Sequence, residues 1–70
     1  MDAARIDFTE QERAIVALLA QGETVRRIAE ATELPPNSVA KEIETCRHKL
    51  QARNNVELVA KALRSGIFSD

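Results

Sequence analysis

Tryptophan and tyrosine are absent from this 70-residue sequence, and cysteine occurs once, as Cys46. A lone thiol forms no internal disulfide, and one cysteine beside one histidine supplies no metal-ligand set. Disulfide-stapled scaffolds and zinc domains are thereby excluded, and no cofactor is expected. Long apolar runs are missing too. None approaches the roughly 18 residues of a membrane span, and the opening MDAARIDF has neither the basic start nor the apolar stretch of a signal peptide. A soluble, cytoplasmic protein is expected, without membrane contact. Nor is positive charge in excess. The net charge of −1 lacks the strongly basic balance by which many nucleic-acid binders are recognised.

What the chain does contain is aliphatic residues at helical spacing, with Phe8 and Phe68 as the aromatics. Seventy residues make one domain, 1–70, near the lower size limit for a fold held by its core alone. Charge is polarised along it: residues 1–34 carry four arginines against seven acids, and residues 35–70 six basic residues against four acids. Thr9 and Glu12 form a capping-box pattern, which predicts a helix over about 9–20 with Ile15, Val16 and Leu19 inward, Phe8 stapling its first turn and Gly22 at its exit. Thr24 caps a second helix, about 24–32, that buries Val25, Ile28, Ala29 and Thr32. The Glu33-Leu34-Pro35-Pro36 segment breaks it, and a third helix follows over about 36–51. Its stripe Val39, Ile43, Cys46 and Leu50 turns inward, leaving Asn37, Lys41, Glu44, Thr45 and His48 outside. Asn54 caps a fourth helix, about 55–65, with Val56, Val59, Ala60 and Leu63 inward and Gly66 at its end. With no alternating strand pattern, the fold class is all-α.

A short helix, a tight turn and a longer helix with a polar outer face make the helix-turn-helix shape that inserts its second helix in the major groove. Residues 24–50 have that shape, although many small helical hairpins with solvated faces bind nothing. The run FTEQERAIVALLAQGETVRRIAE, then ATELPPNSVA, then KEIETCRHKLQARNNVELVAKALRSGIF resembles the LuxR-type DNA-binding domain without a gap. Shared features are Thr9 and Glu12, Leu18-Leu19-Ala20-Gln21-Gly22, Ile28-Ala29, Ser38-Val39, Lys49-Leu50, Asn54, Glu57, Ala62 and Gly66-Ile67. The resemblance implies a four-helix fold, a recognition helix at about 36–51 and pairing through the fourth helix.

Departures lie where function would be. The family usually reads Thr-Val-Lys-x-His where this chain has Ser38-Val39-Ala40-Lys41-Glu42, so Ala40 replaces a lysine and Glu42 a histidine. Glu44 stands where the family often has a basic or polar groove-facing residue, and a carboxylate there is repelled by phosphates unless it accepts from cytosine N4. The DNA-binding residues expected are Asn37, Ser38, Lys41, Glu44, Thr45 and His48 on the third helix. Thr24, Arg26, Arg27, Lys49 and Arg53 are expected at phosphates, while Arg26-Arg27 as a solvated face and His48 as a solvated side chain stay open. Leu58 and Ala62 point away from the expected inward stripe, as scattered surface or, preferably, a dimer seam. Cys46 reads as an inert core residue. Glu10, Glu12, Glu42 and Glu44 fall on exposed faces or caps, so no enzyme is expected.

The function expected is a transcriptional regulator that binds double-stranded DNA at the nucleoid as a homodimer. The alternative is a protein-binding regulator, anti-activator or co-regulator, that uses the same scaffold on a transcription factor or the transcription machinery. A domain normally fused to a sensor is a third reading; Met1 and the short leader favour a free-standing protein, in which control comes from abundance, a partner or modification.

Overall fold

Three of the helices start where a side chain satisfies the free amides of the first turn. In the computed structural model, which describes residues 8–68, these are α1 (Glu10–Ala20), α2 (Val25–Thr32) and α4 (Asn55–Ser65), with α3 (Pro36–Leu50) starting differently. Thr9 Oγ1 accepts from the Glu12 amide at 3.0 Å while Glu12 Oε1 accepts from the Thr9 amide at 2.9 Å, a complete capping box. Thr24 Oγ1 accepts from the Arg27 amide at 3.2 Å, and Asn54 Oδ1 from the Glu57 amide at 2.8 Å. No side chain caps α3. Pro35 precedes it and Pro36 occupies its first position, where a missing N–H leaves nothing unsatisfied.

Helix ends are of two kinds. Gly22 (φ 90°) follows α1 and Gly66 (φ 77°) caps α4, as glycine readily does. Glu33 (φ 60°) and Gln51 (φ 55°) end α2 and α3 in the same left-handed region without glycine's freedom. Only Glu33, Leu34 and Pro35 separate α2 from α3. Leu34 packs from this turn against the core, and its amide donates to Ala29 O at 3.1 Å.

The core joins Ile15 and Val16 of α1, Ile28 and Ala29 of α2, Val39, Ile43, Cys46 and Leu50 of α3, and Leu58 and Ala62 of α4. Phe8, Leu19, Val25 and Ile67 pack around it, half-buried. The α3 stripe is the expected one. That helix packs against each of the other three, whereas α2 and α4 do not pack on one another.

The fourth helix corrects the sequence reading. Leu58 and Ala62, expected at a dimer seam, are both 0% exposed within the protomer, so neither reaches a partner. Val56 and Leu63, expected inside, are 81% and 61% exposed, Ala60 is exposed and Val59 half-buried. The helix carries two apolar stripes, and periodicity favours the wider one, Val56, Val59, Ala60 and Leu63, which the structure leaves largely outside. On the buried side Lys61 Nζ donates to Gln51 O at 2.8 Å and Leu50 O at 3.3 Å, which ties that side of α4 to the carbonyl end of α3.

Candidate nucleic-acid interface

With Val39, Ile43, Cys46 and Leu50 buried, helical geometry puts Asn37, Lys41, Glu44 and His48 in a line on the other side of α3, flanked by Thr45. All five are exposed, and Ser38 is half-buried at the edge of this face. Thr45 Oγ1 donates to Lys41 O at 3.1 Å, which leaves its oxygen free to accept. Neither Lys41 Nζ nor the Glu44 carboxylate has a hydrogen-bond or ion-pair partner among the described residues.

The residues expected at phosphates divide. Thr24 is occupied by capping, and Arg26 and Arg27 are exposed in the first turn of α2. Arg27 Nε lies 3.8 Å from Glu30 Oε1 on an exposed surface, whereas Arg26 has no ion pair among the described residues. Arg53 is exposed, with Nε 3.5 Å from Glu57 Oε1, and its amide donates to the same oxygen at 2.7 Å. That amide, with Lys61 and the Arg53 side chain, holds the Glu57 carboxyl below its ordinary range.

Lys49 departs from the expected set. Its Nζ lies 2.8 Å from Glu12 Oε1 and 5.2 Å from the centre of the Phe8 ring, so its charge is engaged inside the protein, not turned out beside Arg53. Burial pushes the Glu12 carboxyl up, but the Lys49 ammonium and the Thr9 amide and hydroxyl outweigh it and hold the group below 4.5. Glu42 is tied down in a comparable way: Gln11 Nε2 donates to its Oε2 at 3.2 Å, so this carboxylate leans on α1 beside the outer face. Burial, with the Glu12 and Glu42 carboxylates beside it, pushes the Cys46 thiol up to about 12.

Arg47 is the residue that sequence reasoning missed. It is half-buried at the end of α3, its Nη2 donates to Arg53 O at 3.2 Å, and its buried Nε has no partner. With Glu44, His48, Gln51 and Ala52 it lines a shallow depression. Its place three residues before the stripe residue Leu50 marks it as lying beside the stripe, but its polarity hides that. Among the described residues, no group of three acidic, histidine or cysteine side chains is arranged to hold a metal ion, and no helix is long and apolar enough to cross a membrane.

A family model for bacterial regulatory proteins of the luxR family matches residues 7–62. Among solved structures the fold is similar to a chain of the phage VqmA-DPO complex, with a TM-score of 0.82 and 31% identity over 91% of this chain. The match covers 29% of that longer chain. No curated protein sequence matches.

Proposed function

Because the chain belongs to the luxR family of bacterial regulatory proteins, whose helix-turn-helix is a DNA-binding unit, we propose that it regulates transcription by placing α3 in the major groove of duplex DNA as one half of a symmetric pair. The observation that carries this reading is the outward line of Asn37, Lys41, Glu44 and His48 on a helix whose other side is locked in the core. A rigid helix with an unengaged polar face loses little freedom on docking. Arg26, Arg27 and Arg53 supply charge for the phosphates, with Lys41 at the groove. Pairing draws on the exposed apolar stripe of α4, Val56, Ala60 and Leu63, continued by Phe68. Such a regulator works at the nucleoid, in the cytoplasm.

Mobility shifts on genomic fragments across a salt series test it. Binding should weaken as salt rises, and Arg26→Ala should lower the slope of log affinity against log salt by about 0.9 for each phosphate no longer neutralised, whereas Lys41→Ala should weaken binding and relax base preference. Arg27→Ala should do less, because Glu30 already shares its charge. Absence of any complex at low salt would overturn the proposal. The outward Glu44 favours a second reading, a protein-binding regulator on the same scaffold. Its signature is a stoichiometric protein partner that co-purifies and is lost on Glu44→Lys.

A further inference from the structure

Glu44 is out of place on a surface that meets a polyanion. Three other carboxylates are engaged: Glu12 by Lys49, Glu42 by Gln11, and Glu57 by the Arg53 amide. Glu44 is exposed in the middle of the outward line, three residues after Lys41, and neither side chain is paired with a described residue. Three residues advance about 4.5 Å along a helix, on one face, against a base-pair rise of about 3.4 Å. A cation and an anion are therefore presented side by side, at the scale of one or two base pairs.

A carboxylate in the major groove only accepts, so it needs an amino group. The edges offer two, adenine N6 and cytosine N4. Adenine N6 lies beside the N7 acceptor, which suits the donor and acceptor of an amide and repels a second oxygen of a carboxylate. Cytosine N4 has an acceptor on one side only, O6 of the guanine paired with it, and the N7 and O6 of that guanine suit an ammonium. A carboxylate beside an ammonium therefore suits a G·C pair better than an A·T pair, whose amino group has an acceptor on each side.

Resting on the proposed DNA-binding role, we infer that Glu44 is a specificity-determining residue that accepts from the N4 amino group of a cytosine, with Lys41 donating to guanine at the same or the neighbouring base pair. The substrate class is then a duplex whose half-sites each hold an obligatory cytosine under α3. Thymine at that position turns an amino donor into the O4 acceptor, and the carboxylate is repelled. Binding should fall between about 5- and 150-fold, the range for one mismatched base pair.

Selection of bound duplexes from a randomised pool, run with the full chain and with Glu44→Gln and Glu44→Ala, tests the inference. Wild type should select one invariant cytosine per half-site. Glu44→Gln should move that preference towards adenine, whose N6 and N7 an amide can meet, and Glu44→Ala should erase it while other positions keep theirs. Tighter binding of Glu44→Ala to all duplexes alike, with the selected bases unchanged, would overturn the inference and leave the DNA-binding role intact, Glu44 being then only a repulsive charge. Retention of the cytosine by Glu44→Gln would overturn it in the same way. Failure of wild type to retain any duplex at low salt would overturn the DNA-binding role, and the inference with it.

Discussion

Replacing Lys49 with methionine keeps most of the bulk of the stem and removes the charge that faces Glu12. The Glu12 side chain is 6% exposed, and without Lys49 its Oε1 retains the Thr9 amide at 2.9 Å as donor. Removing one partner of a buried pair costs about 3–5 kcal/mol when the survivor is sealed from water. Here Lys49 is 31% exposed, so solvent reaches the vacated position and about 1–3 kcal/mol is expected. On the order of 4–10 kcal/mol is the whole stability of a domain this size, so the loss is a large part of it. Glu12→Gln should cost less, because glutamine at that position still completes the capping box. The double variant should lose less than the sum of the two, with a coupling of about 1–2 kcal/mol.

The same pair sets an acid limit. A carboxyl held lower in the folded than in the unfolded state contributes stability that is present above about pH 4.5 and lost as pH falls through the depressed folded value. In Lys49→Met the effect of burial is less opposed, so this contribution should shrink or change sign. Urea unfolding followed by far-ultraviolet circular dichroism measures both, since helices are the main probe in a chain without tryptophan or tyrosine. A Lys49→Met variant within about 0.5 kcal/mol of wild type, or a double variant that is simply additive, would refute the reasoning.

Leu58→Ala should lower monomer stability by about 2–4 kcal/mol, as a fully buried leucine does, while Leu63→Ser should leave it within about 0.5 kcal/mol and reduce self-association in sedimentation equilibrium. With its thiol pushed up to about 12, Cys46 should resist thiol reagents at pH 8 in the folded protein and react at the rate of unfolding; rapid labelling of the native state would contradict its burial. Glu33→Gly should raise the free energy of urea unfolding by up to about 1 kcal/mol, since Glu33 sits at φ 60° where glycine is unstrained; a loss of stability would show that Glu33 is held in place by its side chain.

Helix starts were legible because capping is local. Thr9, Thr24 and Asn54 each accept from an amide three residues on, so the signal and its effect lie in one short stretch of sequence. Ends were legible at glycine and, for α2, at the prolines that follow it, but the left-handed conformation of Glu33 and Gln51 carries no local mark. The face of α4 was not legible at all. Periodicity pointed to the wider stripe, whereas the contact that ties the other side of α4 to the end of α3, Lys61 to Gln51 O, lies 10 residues away in the chain and leaves no periodic mark. The outward line of α3 followed from its complement, the buried stripe. Lys49 was misplaced because a lysine near a helix end reads as surface, while the carboxylate that claims it lies 37 residues earlier in the chain.

The central position of α3 has a consequence for how such a protein changes over generations. Four of its residues are committed to the core and a separate five to the outer face, with no side chain in both sets. An exposed substitution away from caps and ion pairs usually shifts stability by no more than about 0.5 kcal/mol. Asn37, Lys41, Glu44, Thr45 and His48 can therefore each be exchanged without a compensating repair elsewhere. Single substitutions on this face therefore pass through intermediates that all fold.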